Sequence, residues 1–329
     1  MPTCPNVLSA FRRMLPTLRQ MQYFVALAEH RSFGRAARAC HVTQSTLSGA
    51  IRQFEACLGA ELVDRSGKVL SLTEAGESVL VRAGAILRET EDMAAHARIA
   101  AAPLSGRLRL GVIPSIAPFL LPQALPALRA AQPQLRLVLR EELTRVLLQD
   151  LRDGRLDVAL IALPHDTGDF ACEVIGVDPL FVAVPQGHPL GQDARVSLAR
   201  LQREPLLLLE DGHCLREHVL MAFAGKAPRE SEDIRASSMT TLVQMVDNGL
   251  GVTLVPRIAV EAGIARGTRL SIVPIEEAGA QRELAIVWRR RSAHGADARA
   301  LAAALRGFVT SGEEPASVCA VGKEPIETG

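Results

Sequence analysis

Aromatic side chains are scarce in this 329-residue chain, where one Trp, one Tyr and nine Phe make up 3%. So thin a supply argues against a surface on which successive single-stranded bases stack. No apolar run approaches the roughly 20 residues that a membrane helix requires, so no membrane partner is expected. Charge of one sign is also missing. With 37 Lys+Arg against 36 Asp+Glu the net charge is +1, and any attraction to nucleic acid has to come from a local patch. The six cysteines (Cys4, Cys40, Cys57, Cys172, Cys214, Cys319) include no CxxC pair and no zinc-ligand spacing. A reduced, cytoplasmic chain without a bound metal follows as the default. The sequence has no Gly-rich phosphate loop and no GxSxG elbow, so no cofactor is expected and no enzyme signature competes well.

What is present is organised around residues 33–55, FGRAARACHVTQSTLSGAIRQFE. They parse as two short helices around a tight connection. Ala36, Ala37, Ala39 and Cys40 give the first a compact apolar face, and Thr43 stands where the second needs an N-cap. Leu47, Ile51, Phe54 and Leu58 follow at spacings of four, three and four, which commits one face of the second helix to a core. The other face carries Gln44, Ser45, Thr46, Ser48, Arg52 and Gln53. Short or forked hydrogen-bonding groups of this kind reach base edges and phosphates from a helix in a major groove. An ordinary helical hairpin with a polar solvent face fits the spacing equally well.

Downstream, GAELVDRSGKVLSLTEAG reads as two short strands around Ser66-Gly67, with Arg65 and Lys68 at the tip. A long helical pattern covers 73–101. Within it Val79, Ala83, Ile86, Thr90, Met93, Ala97 and Ala100 form a narrow heptad seam that suits a partner helix. Pro103 to Gly106 ends it. Strands and helices then alternate, which predicts a mixed α/β sheet. The expected strands are RLRLGVI, LRLVLRE, DVALIAL, LFVAVP, LLLLE, VTLVP, LSIVPI and RELAIVW. The expected helices cover 120–131, 144–151, 214–224, 239–247 and 298–308. The first 16 residues read as a loose extension, with Met14 as an alternative start, and 312–329 as a disordered tail.

The stretch from 18 to about 76, including MQYFVALAEHRSFGRAARACHVTQSTLSGAIRQFEACLGAELVDR, resembles the LysR-type transcriptional regulators. LEDGHCLRE and SSMTTLVQMVDNGLGVTLVP extend the likeness to the hydrogen-peroxide-sensing, OxyR-like branch of that family. The resemblance implies an α/β chain with a winged helix-turn-helix (17–76), a linker and dimerisation helix (77–102), and a periplasmic-binding-protein-like effector domain of two α/β subdomains (103–311). Its implied partners are double-stranded DNA with dyad symmetry, a second or fourth copy of the chain, RNA polymerase, and hydrogen peroxide or a small-molecule effector. Candidate DNA contacts are Arg35, Thr43, Gln44, Ser45, Thr46, Ser48, Arg52, Gln53, Arg65 and Lys68.

In the effector half, Cys214 falls in the first turn of a helix beside His213 and Arg216. Helix amides and basic neighbours favour a thiolate, so an acidic, oxidisable thiol is expected, against the ordinary reading of a buried structural cysteine. Carried across from the family, the peroxide pocket comprises Ser115, Thr144, His213, Cys214 and Arg282. Taken alone, Ser115 and Thr144 also read as helix caps. One departure stands out: Phe223 occupies the place of the family's second sensing cysteine, and no cysteine lies between Cys214 and Cys319. Three readings follow: a redox-responsive regulator, a regulator that binds a metabolite in its cleft, and a thiol peroxidase.

Overall fold

A computed structural model describes residues 15–65, 70–99, 103–223 and 228–309. The expectations for the N-terminal extension, for Ser66, Gly67 and Lys68 at the hairpin tip, for Ala100 and for the tail lie outside the described residues. The chain divides into two compact units, Met1–Ala94 and Ala95–Gly329.

The first unit begins with α1 (Leu18–His30), opened by a capping box in which Thr17 and Gln20 satisfy each other's backbone amides. Next come α2 (Phe33–Ala39) and α3 (Gln44–Leu58). Thr43 caps α3 as expected, its hydroxyl accepting from the Thr46 amide at 3.2 Å. Leu47, Ile51 and Phe54 are buried, with Phe54 against Phe24 at 5.5 Å between ring centres. Two positions depart from the sequence pattern. Leu58 is exposed, because it ends α3 just before the left-handed Gly59, and Ala39 is exposed at the end of α2. The short antiparallel strands β1 (Val63–Asp64) and β2 (Ser71–Leu72) form the hairpin. Helix α4 (Glu74–Ile99) follows, and its Val79, Leu80, Ala83 and Leu87 pack on the core of this unit. Ile86 and Met93 of the proposed seam, with Val81, are left exposed in the single chain.

The second unit alternates as the sequence predicts. Its elements run β3 (Gly106–Val112), α5 (Ala117–Ala131), β4 (Leu135–Glu141), α6 (Thr144–Arg152), β5 (Val158–Leu163) and β6 (Phe170–Val184). After β6 come α7 (Leu198–Leu201), β7 (Leu206–Leu209), α8 (Cys214–Ala222), β8 (Glu230–Ala236), α9 (Met239–Asp247) and β9 (Thr253–Pro256). The chain closes with α10 (Arg257–Glu261), β10 (Ser271–Pro274), β11 (Gln281–Arg289) and α11 (Gly295–Arg306).

One feature of the topology sets up the site. Strand β6 is 15 residues long and serves two halves of the unit. Its first stretch, to Pro179, pairs with β11, which continues the β11-β5-β3-β4 order of the first half. From Leu180 on it pairs with β9 and β10 of the second half. The sequence pattern finds only the second stretch, since Glu173, Asp178 and Pro179 interrupt the apolar run of the first. Strand β8 is missed as well, because ESEDIRA is too acidic to read as a strand. It pairs in parallel with β7.

Candidate functional site

Strand β7 ends at Leu209, and Gly212, at φ +93, turns the chain into α8 with His213 as N-cap and Cys214 as first helical residue. Only a residue without a Cβ holds that φ cheaply. Cys214 carries a free thiol and is 5% exposed. It is therefore not bridged to Cys172, which is itself disulfide-bonded, against the fully reduced chain that cysteine spacing led us to expect. Phe223, in the place of the family's second cysteine, is a buried apolar residue at the end of α8.

A small cavity of about 10 Å³ opens at Cys214, lined by Ile113, Pro114, Ser115, Leu143, Thr144, His213 and Leu215. That is about the room one water-sized molecule needs. The structure thus gathers four residues singled out in the sequence, two from each half of the unit: Ser115 follows β3, Thr144 opens α6, and His213 and Cys214 open α8. Neither hydroxyl is a helix cap. Ile116 and Leu143 occupy the cap positions of α5 and α6. Thr144 Oγ1 is buried with no hydrogen-bond partner among the described residues, and it lies near enough to Cys214 to favour the thiolate.

Arg282 lies behind this pocket, 1% exposed. Its Nη1 donates to Ser115 Oγ at 2.7 Å and its Nη2 to the Ser115 carbonyl at 3.0 Å. Because a guanidinium only donates, Ser115 Oγ acts here as acceptor and keeps its own hydrogen for another partner. Sequence reasoning missed the residue that permits so buried a cation. Asp178, fully buried, takes Arg282 Nε at 3.0 Å and Nη2 at 2.9 Å, and its other oxygen accepts from the Ile258 amide at 3.1 Å. The available signal was a lone aspartate in the apolar run VIGVDPLFVAV. Arg282 and Asp178 are register partners on β11 and β6, at the point where β6 changes partners.

Two expectations about the thiol need correction. Arg216 does not serve Cys214, since it pairs with Asp211 at 2.9 Å and Glu230 at 2.8 Å. His213 is held below its ordinary value by burial, with Glu210 opposing. The thiol itself is not acidic at rest. Burial pushes Cys214 above its ordinary value, against the lowering influence of Arg282, Thr144 and Ser115. A larger cavity of about 160 Å³ adjoins the first, sharing Pro114, Ser115 and His213 and adding Glu141, Ser237, Ser238 and Thr240.

On the first unit, Arg35, Thr43, Gln44, Ser45, Thr46, Arg52 and Gln53 are exposed and Ser48 is half-buried. The Thr43 hydroxyl bonds that of Thr46 at 2.7 Å and that of Ser45 at 3.0 Å. Arg65 is engaged with Glu55 at 2.8 Å, while the other oxygen of Glu55 accepts the Leu62 and Val63 amides.

Two family models match the chain: the bacterial regulatory helix-turn-helix protein of the lysR family over 18–77, and the LysR substrate binding domain over 101–309. The chain belongs to the LysR family of transcriptional regulators. A hydrogen peroxide-inducible genes activator of Dickeya chrysanthemi is 38% identical over 83% of this chain and 89% of its own. Full-length OxyR of Pseudomonas aeruginosa, solved with its cysteine replaced by aspartate, aligns over 91% of this chain and 99% of that one, at a TM-score of 0.74 and 31% identity. A cysteine-to-serine variant of OxyR from Corynebacterium glutamicum, solved with H2O2 bound, covers 90% and 94% at a TM-score of 0.62 and 33% identity. The architecture of this LysR-family chain is accordingly an N-terminal helix-turn-helix followed by a mixed α/β effector domain. No described helix is long and apolar enough to cross a membrane.

Proposed function

We propose that this LysR-family regulator responds to hydrogen peroxide through Cys214, and that it does so without a resolving cysteine. The observation that carries the reading is the water-sized cavity at the thiol, walled by the Ser115 and Thr144 hydroxyls. Peroxide is little larger than water and has two hydrogens to donate and four lone pairs to satisfy. Two hydroxyls and the neutral His213 ring match that demand. As Sγ attacks one peroxide oxygen, the O–O bond breaks and the distal oxygen leaves as water with the thiol hydrogen. Cys214 becomes a sulfenic acid. Negative charge passes from sulfur to the leaving oxygen, and Ser115, oriented by Arg282, stabilises it there. With Phe223 in place of a second thiol, the sulfenic acid persists or captures an external thiol.

The regulator's output is duplex DNA binding, with Gln44, Ser45, Thr46, Ser48, Arg52 and Gln53 facing the major groove and Arg35 beside them. Exposed Ile86 and Met93 on α4 belong to the apolar seam of a dimer or tetramer. The chain works in the cytoplasm and turns over no substrate. The second reading, a metabolite sensor, draws support from the 160 Å³ cavity with Glu141, Ser237, Ser238 and Thr240 on its wall.

Graded peroxide followed by mass spectrometry of Cys214, run beside DNA footprinting, tests the proposal. Conversion of Cys214 to sulfenic acid or a mixed disulfide together with a changed footprint is expected. A Cys214 left unmodified at peroxide levels that oxidise exposed thiols would favour the metabolite reading.

A further inference from the structure

One helical turn beyond Cys214 stands a second buried polar residue to which the peroxide reading gives no task. His218 is 3% exposed, and its ring is fixed on one side by a 3.0 Å bond between Nε2 and the Pro164 carbonyl. A carbonyl only accepts, so the ring hydrogen sits on Nε2 and Nδ1 is left as a bare acceptor. Nδ1 is buried and has no hydrogen-bond partner among the described residues. A buried acceptor without a donor costs stability, and a persistent one calls for an explanation. The four-residue spacing on α8 puts His218 on the same face as Cys214. Helical side chains lean toward the N-terminus, so the imidazole covers the turn that Cys214 opens. Arg282 acts on both residues, favouring a thiolate at Cys214 and a neutral ring at His218.

We propose that His218 Nδ1 accepts the hydrogen of the sulfenic acid formed at Cys214, and that this bond takes the place of the missing resolving cysteine by prolonging the oxidised state. The inference rests on the reading of Cys214 as the peroxide-sensing thiol. Before oxidation Nδ1 has no partner among the described residues, and a thiol is only a weak donor. Attack by Sγ forms the S–O bond and breaks O–O. Sulfur gives up two electrons, the thiol hydrogen leaves with the distal oxygen as water, and the remaining peroxide hydrogen stays on the new Sγ–O–H. That strong donor is what Nδ1 lacks in the resting state. A sulfenic hydrogen held by an acceptor is kept from ionising, and the sulfenate anion is the form that a second peroxide oxidises most readily to the irreversible sulfinic acid. The ring has to stay neutral to accept, and burial with the Arg282 charge keeps it so above about pH 4.

The test uses the full-length protein, hydrogen peroxide, and timed dimedone trapping of Cys214 read by mass spectrometry. Wild type is compared with His218→Leu, which cannot accept, and with His218→Gln, which can both donate to Pro164 and accept. The three should lose the Cys214 thiol at rates within about threefold of one another, while the sulfenic acid of His218→Leu disappears, with sulfinic acid accumulating, about fivefold faster or more, as loss of one hydrogen bond implies. His218→Gln should keep the wild-type lifetime. His218→Phe preserves the ring volume and carries the same expectation as Leu, so the test stands if the leucine variant does not fold. Equal sulfenic lifetimes in wild type and in whichever of these two apolar variants folds overturn the proposal and leave Cys214 as the sensor. An unreactive Cys214 in wild type overturns the underlying reading instead.

Discussion

Replacing Asp178 by Asn strikes the buried pair on which the pocket depends. Asp178 and Arg282 have no exposed side-chain surface, and the carboxylate takes one hydrogen bond and a second ion-pair contact from Arg282 and one hydrogen bond from the Ile258 amide. Asn keeps the shape and one acceptor oxygen but leaves the guanidinium buried without a counter-charge. Removing one partner of such a pair costs about 3–5 kcal/mol. A domain of this size loses about 2–4 °C of melting temperature per kcal/mol, so the effector transition should fall by about 6–20 °C in calorimetry at pH 7. Removing both charges separates the pair from its surroundings. Asp178→Leu with Arg282→Met should cost less than half the sum of the single changes, because no uncompensated charge remains. The same double variant loses the hold on Ser115, so Cys214 should oxidise more slowly even where the fold survives. A drop below about 2 °C for Asp178→Asn, or strict additivity of the two single changes, would refute the argument that this pair is a closed electrostatic unit.

Alkylation of Cys214 by iodoacetamide should rise about tenfold per pH unit from pH 7 to 9 without levelling, since burial holds the thiol above its ordinary value; a plateau below pH 8 would contradict this. The same raised value favours the folded chain below about pH 8.5, and that contribution is lost as pH rises through the folded value. His218, lowered to about 4 in the fold, acts in the opposite window: stability is intact above about pH 6.5 and falls as pH drops toward 4, by about 3 kcal/mol in all. His218→Gln should flatten that acid limb in denaturant titrations. Thr43→Ala removes the α3 cap and should cost about 1 kcal/mol, visible as a lower melting temperature of the N-terminal unit. Arg52→Ala should weaken binding to a selected duplex by about 1–3 kcal/mol if it reads a base, and unchanged affinity in fluorescence anisotropy would remove it from the interface.

Much of this molecule was legible in the sequence because its signals are local. The Thr43 cap, the Leu47–Ile51–Phe54 face and the β3, β4 and β5 strands each rest on a few neighbouring residues whose periodicity tertiary context did not override. The pocket was legible for a different reason: Ser115, Thr144, His213, Cys214 and Arg282 came from family likeness, and spacing would not have joined them. What failed was inference from sequence neighbours to spatial ones. Arg216 stands two residues from Cys214 yet is claimed by Asp211 and Glu230, while the cation that acts on the thiol comes from β11. Its counter-ion, Asp178, lies in the half of β6 that polar residues and a proline hid from any strand pattern. Burial was the other blind spot. A helix start beside basic residues argues for an acidic thiol, and only the packed environment reveals that desolvation wins.

The crossing of β6 between the halves has a mechanical consequence. A strand common to both halves is an axle, and the Arg282–Asp178 pair sits on it. Cys214 feels the Arg282 charge and so works near the pivot, with Ser115 and Thr144 on one leaf and His213 on the other. Close to a pivot the lever arm is short: a small displacement there becomes a large swing at the rim, but only a strong push produces it. A covalent bond at sulfur supplies such a push, and a loosely held ligand does not. The wider cavity beside it also has walls from both leaves, Glu141 from one and Ser237, Ser238 and Thr240 from the other, and is the place for a bound ligand to act on them.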